Sequence, residues 1–321
     1  MIEDNSNHKF ERQESEKPRI AISIGDLNGV GIEIALKSHH EISKICEPIY
    51  CINADLLAQA QDLLNIEVEN FQISQHGGIF EIQPSQVTQE SGKYSYDSFM
   101  KAFTLVLNKR ADAIVTLPIH KEAWMLAGIE FKGHTDMLRK YLGRDAIMML
   151  GCPEMFVALY TEHIPLKDVV NEIKSEKIYK FLIDFYNSRE DNRNGQKIAV
   201  LGFNPHSGDN GVLGNEEKEI VSAIKKVNKE LTQNIFEGPL VPDVAFTPDT
   251  RKKYKTYVAM YHDQGLTPLK ALYFEKSINV SLNLPLVRTS VDHGTAFDIA
   301  YKNIAKNESY LNAVKEAISL I

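Results

Sequence analysis

The stretch IAVLGFNPHSGDNGVLGNEEKEIVSAIKKVNKEL (residues 198–231) decides the fold. It opens on a continuous apolar run, passes through a Gly-rich polar loop and ends in an amphipathic helix. In that helix Ile220, Val221, Ile224 and Val227 recur at helical spacing, while Glu216, Glu217 and Glu219 complement its positive N-terminal end. The same grammar recurs on both sides. MFVALYTE (155–162), TYVAMY (256–261) and INVSLNLP (278–285) read as strands, as do RIAISIG (19–25), IYCIN (49–53) and AIVTLP (113–118). Helical spacing is clear in DSFMKAFTLVLNKR (97–110), with Phe99, Ala102, Phe103, Val106 and Leu107 on one face, and in DLLAQAQDLL (55–64), where Asp55 is the expected N-cap. Strands alternating with helices predict an α/β fold with helices flanking a largely parallel sheet.

In such a fold ligands bind where strand carboxyl ends open into a crevice. Three histidines stand just past strand runs: His163 after MFVALYTE, His206 after IAVLGFNP and His262 after TYVAMY. Three converging imidazoles would make an open metal site with a position left for water or substrate. A lone histidine is usually a satisfied polar residue; three at matching strand ends point to an enzyme. Asp263 beside His262, and Asp243, are candidates for orienting a ligand or moving a proton, with a structural salt bridge as the alternative for each.

Other polar groups cluster at strand ends. HK (120–121) and GHTD (133–136) follow AIVTLP, and His134 and Thr135 offer donors to a carboxylate or phosphate, unless Thr135 or Asp136 merely caps a helix. Lys270, Asn279 and Arg288 accumulate toward the C-terminus, and an arginine suits bidentate contact with an anion. The glycines of GDLNGVG (25–31) would admit a ligand close to the backbone or simply make a tight strand-to-helix turn. The loop is neither a G-x-G-x-x-G fingerprint nor a Walker loop.

Composition narrows the class. At 43% hydrophobic the 321 residues can bury one large or two ordinary domains. A net charge of −7 argues against nucleic acid or an anionic membrane as the main partner. Three cysteines without C-x-x-C spacing suit a reducing cytoplasm. The N-terminus has no apolar core for a secretory signal, and it reads as a disordered tail over residues 1–18 in which His8 has no role. SREDNRNGQ (188–196) reads as a solvated connection.

Taken together, GDLNGVGIEI, VTLPIHKEAW, GIEFKGHTD, ALYTEHIPLKDV, GFNPHSGDNG, MYHDQGLTPLK and INVSLNLPLVRTSVDHGTAFDIA closely resemble the 4-hydroxythreonine-4-phosphate dehydrogenase family of pyridoxal phosphate biosynthesis, over nearly all the chain from Arg19. Leu27 and Ile32 stand where that family usually has prolines. The resemblance implies two α/β/α domains around a cleft, similar to isocitrate and isopropylmalate dehydrogenases. The first domain would comprise residues 19–130 with 285–321; the second, 131–284, would carry most of a homodimer interface. It implies a divalent metal (zinc, magnesium, cobalt or manganese) on His163, His206 and His262, one ligand being donated across the subunit boundary. It gives His134, Thr135, Lys270, Asn279 and Arg288 to a phosphorylated substrate. HGTAFDIA resembles the nicotinamide loop of decarboxylating dehydrogenases, so His293, Gly294, Thr295, Ala296 and Asp298 are expected at NAD or NADP. The implied reaction oxidises 4-phosphooxy-L-threonine at C3 and decarboxylates it to 3-amino-2-oxopropyl phosphate. Alternatives are a dehydrogenase of a four-carbon sugar-acid phosphate, a zinc hydrolase, or a metal-binding protein without catalysis.

Overall fold

The computed structural model describes residues 17–321, so the expected tail lies outside the described residues through residue 16. The strands are β1 (Arg19–Ser23), β2 (Glu47–Cys51), β3 (Ala113–Thr116), β4 (Ile147–Cys152), β5 (Met155–Leu159), β6 (Ile198–Leu201), β7 (Phe236–Leu240), β8 (Thr256–Ala259), β9 (Ile278–Leu282) and β10 (Val287–Val291). They form one ten-stranded sheet in the order β2-β1-β3-β10-β9-β4-β5-β8-β6-β7. The helices are α1 (Gly31–Ile45), α2 (Ala54–Leu64), α3 (Gln89–Leu107), α4 (Lys121–Leu126), α5 (His134–Leu142), α6 (Leu166–Glu172), α7 (Ser175–Asn187), α8 (Glu217–Glu230), α9 (Pro248–Lys253), α10 (His262–Tyr273) and α11 (Glu308–Ser319).

Both flanks of the sheet are parallel, as expected. The centre is not, because β10 with β9, β9 with β4, and β4 with β5 pair antiparallel. Chain geometry explains this departure: β4–β5 and β9–β10 are joined by connections too short for a crossover, and short connections allow only antiparallel neighbours. In consequence β5, β8 and β6 run opposite to β1, β3 and β10.

The two faces of the sheet differ. On one, Ile22, Val115, Val280, Met149, Val258 and Val200 belong to a single core that runs from end to end under helices such as α1, α7, α8 and α11. On the other face the core is split. Ile114 packs with Phe99, Trp124, Met137 and Leu138 of α3–α5, whereas Leu150, Val157 and Tyr257 pack with Leu266 and Leu269 of α10. Between these clusters the same face carries Thr116, Arg288, Ser290, Asn279 and Ser281, placed side by side by strand register. A polar strip between two apolar ones marks a cleft.

Three local expectations change. Asn53 rather than Asp55 caps α2, its side chain accepting from the Asp55 N–H at 2.8 Å, so the helix begins at Ala54. Neither Thr135 nor Asp136 caps α5, which is preceded by Gly133 at φ 155°; Asp136 instead reaches back to the Lys132 N–H at 3.2 Å. Within the segment read as solvated, Arg189 is buried, donates to Glu316 at 2.6 Å and lies over the Phe156 ring.

Candidate active site

Arg288 is the centre of the polar strip. It is only 2% exposed, because β10 is an interior strand flanked by β3 and β9. Its Nη1 donates to Ser281 Oγ at 3.1 Å, and Nη2 approaches Thr116 Oγ1 at 2.7 Å and His134 Nδ1 at 3.2 Å. All three are neutral groups, and the buried Nε has no partner. Burial pulls the guanidinium pKa down to about 9 from its usual 12.5. A buried cation without an anion is costly, and an anion in the cleft removes the cost.

His134 opens α5 and is also buried. Burial, and secondarily the charge of Arg288, hold its pKa well below the usual value. It is therefore a neutral imidazole. Since Nδ1 accepts from Arg288, the proton sits on Nε2, which is buried and unpartnered. Thr135 follows in the same first helical turn, whose free N–H groups favour negative charge. Asn279 on β9 leaves its amide oxygen unpartnered. Lys270 of α10 donates to the main-chain oxygen of Asp292, just past β10, at 2.7 Å and forms an ion pair with its carboxylate at 2.5 Å. Thus His134, Thr116, Ser281 and Arg288 meet directly. Thr116, Ser281 and Asp292 were not foreseen, because small polar residues inside strands carry no sequence signal of their own.

The histidines after β5, β8 and β6 stand at the carboxyl ends of three adjacent parallel strands. Two come together: the His163 and His262 rings lie 5.4 Å apart. His163 is held below its ordinary pKa, chiefly by burial, so its ring is neutral at pH 7. Asp263 Oδ1 lies 2.7 Å from His262 Nδ1, which leaves Nε2 as the free nitrogen. His206 does not join them. It begins a run in which residues 206–211 all have positive φ, from 43° to 99°, a left-handed turn that costs about 1 kcal/mol or more at each non-glycine. Buried Glu217 opposes that cost, accepting from the N–H groups of Phe203 (3.0 Å) and Asn204 (2.6 Å) and from the Asn204 amide (2.9 Å). Among the described residues of one chain no three His, Cys, Asp or Glu side chains are placed to hold a metal ion. Asp243 is exposed in the turn after β7.

The loop from Asp292 to Asp298 docks on the first glycine loop. Val30 N–H donates to Thr295 O at 3.0 Å, and a Cβ on Gly29 would fall 2.8 Å from that oxygen. Gly25 and Gly31 are likewise closed in, by Pro118 and Ile24. These glycines serve the tight-turn alternative; what approaches their backbone is protein. Around Gly294, by contrast, there is open space, and the neighbouring His293 has a buried, unpartnered Nε2. His120 stacks on Phe297 at 4.8 Å, a contact that the HK dipeptide did not reveal.

A split core around a buried, unpaired arginine, with imidazoles at the ends of adjacent parallel strands, defines a class: an α/β enzyme that takes an anionic ligand in a cleft. Comparison with known proteins makes it particular. Residues 44–317 match the family model described as pyridoxal phosphate biosynthetic protein PdxA. A protein of Sulfurimonas denitrificans named 4-hydroxythreonine-4-phosphate dehydrogenase is 63% identical, over 95% of this chain and 98% of its own length. A crystal structure of a 4-hydroxythreonine-4-phosphate dehydrogenase from Burkholderia phymatum superposes with TM-score 0.76 at 32% identity, covering 95% and 98% of the two chains. A β-decarboxylating dehydrogenase from Thermococcus kodakarensis shares the fold, with TM-score 0.51 at 12% identity over 92% and 81% of the chains. The chain belongs to the PdxA family.

Proposed function

We propose that the protein is a 4-hydroxythreonine-4-phosphate dehydrogenase, oxidising 4-phosphooxy-L-threonine at C3 with NAD or NADP and releasing 3-amino-2-oxopropyl phosphate and CO₂. The observation that carries the reading is Arg288, a buried guanidinium whose near neighbours are all neutral and which a phosphate would complete. His134, through its unmet Nε2–H, together with Thr135, Asn279 and Lys270, would bind the same substrate. Because His134 is neutral it donates one hydrogen bond without adding a second buried charge. The loop at His293, Gly294, Thr295, Ala296 and Asp298 would receive the nicotinamide cofactor, the open space at Gly294 leaving room for its backbone to approach a ligand.

His163 and His262 fit a divalent metal: their rings stand together at adjacent strand ends, and Asp263 fixes the orientation of one of them. A bound metal would supply Lewis-acid polarisation of the substrate's C3 oxygen. His206 would be contributed by a second copy of the chain, which makes the homodimer the working unit. Exposed Ile164 and Leu166 beside His163, and Val212 and Leu213 beyond His206, give that boundary apolar surface. We place the protein in the cytoplasm; no helix among the described residues is long and apolar enough to cross a membrane. The halves of the cleft would be residues 19–130 with 285–321 and residues 131–284, Met137 and Leu138 of the second packing with Trp124 of the first.

Nicotinamide reduction, followed at its near-ultraviolet absorbance on adding phosphorylated hydroxy acids with and without chelator, tests the proposal. Turnover of the threonine derivative that chelation stops is expected. Turnover only of a four-carbon sugar-acid phosphate would move the substrate, and metal-dependent ester cleavage without nicotinamide reduction would replace the reading by a hydrolase.

A further inference from the structure

We infer that Asp292 is the positioning residue for Lys270 and thereby sets how tightly the cleft holds an anion. The inference rests on the assignment of Lys270 to the substrate. Lys270 belongs to α10, which packs on one side of the cleft, and Asp292 follows the strand that carries Arg288, so their contact ties α10 to that strand. The Lys270 ammonium donates to the Asp292 main-chain oxygen at 2.7 Å and forms an ion pair with the Asp292 carboxylate at 2.5 Å. The two contacts fix where the ammonium sits and leave N–H groups for an anion.

The carboxylate is itself fixed. Ser277 Oγ donates to Asp292 Oδ2 at 2.6 Å, and the Asp292 N–H donates to Ser309 Oγ at 3.2 Å. Ser309 in turn donates to the Ser277 main-chain oxygen at 2.7 Å, closing the frame. Two serines, one just before β9 and one on α11, therefore hold one aspartate. A lysine stem has four rotatable bonds, and freezing it costs conformational entropy. Asp292 bears that cost before the substrate arrives.

The opposite role for an aspartate beside a lysine is to mask its charge from an incoming anion. The two roles predict opposite signs for Asp292→Asn. If Asp292 positions Lys270, binding of an anion weakens; if it masks Lys270, removing the negative charge tightens binding.

The experiment is titration of the metal-loaded, full-length protein with inorganic phosphate by calorimetry, alongside KM for the phosphorylated substrate. Asp292→Asn, Ser277→Ala, Lys270→Met and the double variant Asp292→Asn/Lys270→Met are compared with wild type. Asp292→Asn is expected to weaken phosphate binding and raise KM by about tenfold, and Ser277→Ala to do so by a smaller factor. In the Lys270→Met background Asp292→Asn should change neither, which a merely structural aspartate would not satisfy. Unchanged or tighter binding in both Asp292→Asn and Ser277→Ala, with Lys270→Met weakened, overturns the positioning role and leaves the site assignment standing. Unchanged binding in Lys270→Met removes Lys270 from the site and takes this inference with it. If Asp292→Asn does not fold, judged by its melting transition, Ser277→Ala decides the matter by the same sign.

Discussion

Replacing Arg288 by methionine keeps most of the side-chain volume and removes the charge, so it separates what the guanidinium does for the ligand from what it does for the fold. In the free protein Arg288 is 2% exposed, bonds to two hydroxyls and an imidazole, and has an unpaired Nε. A buried charge without an opposite partner is a net cost, and exchange for an apolar group of similar shape is often neutral or stabilising. Arg288→Met should therefore melt within a few degrees of wild type in phosphate-free buffer. Removing one partner of a desolvated phosphate contact, in contrast, costs about 2–5 kcal/mol. That corresponds to roughly 30- to 5,000-fold in kcat/KM. Arg288→Lys should recover only part of it, since one ammonium cannot reproduce the fork. The assay is steady-state oxidation of the phosphorylated substrate and its unphosphorylated analogue by each variant, with melting curves taken with and without phosphate. Phosphate should stabilise wild type and leave Arg288→Met unmoved. Equal losses for both substrates, or a melting point lowered by ten degrees or more without phosphate, would refute the reasoning and make Arg288 a structural residue.

Three further outcomes are expected. Mixing His206→Ala with a His163→Ala/His262→Ala chain and allowing subunit exchange should restore activity to about a quarter of wild type, because half the dimers are mixed and each has one intact site; mixing His163→Ala with His262→Ala should restore nothing. Burial raises the Asp26 carboxyl from 3.8 to about 6, so the folded protein binds this proton more tightly than the unfolded chain and loses stability as pH rises through that window. Asp26→Asn should accordingly gain on wild type by on the order of 2–3 kcal/mol between pH 4 and pH 8, measured by denaturant melts at both, and a constant difference would exclude the linkage. Glu217→Ala should cost about 2–4 kcal/mol in the same melts, since it strips an acceptor from two main-chain N–H groups and an amide that brace a left-handed turn; a loss under 1 kcal/mol would mean the turn stands unaided.

Much of this was legible in the sequence, for identifiable reasons. Continuous apolar runs such as FVAL and AVL mark strands whatever surrounds them, and α8 shows its stripe and acidic first turn openly. His163, His206 and His262 could be placed at strand ends because each ends such a run. What stayed hidden depends on pairing. The antiparallel centre was not visible, since direction is set by neighbours and by short connections. β4, with two methionines and a cysteine, and β7, with Gly238 and Pro239, lack the β-branched composition that betrays a strand. The sequence puts His206 beside the other two, but residues 206–211 run at positive φ in succession, next to the Phe203 and Asn204 N–H groups that Glu217 holds from fourteen and thirteen positions away, an arrangement local propensity does not reveal. Asp292 escaped notice because a lone aspartate after a strand gains meaning only from the lysine it faces.

The strand that carries Arg288 is also the last one made. β10 inserts between β3 and β9, and α11 then packs on β10, so the sheet around β1 and β3 is incomplete until the segment from Val287 onward is available. During synthesis the segment containing β4 to β9 is continuous and can pair as it emerges, whereas β3 must wait with an open, apolar edge. Such edges invite wrong partners. A nascent chain stalled before residue 287 would thus be the most aggregation-prone species this protein passes through, and completion of the proposed anion site and escape from that hazard are the same event.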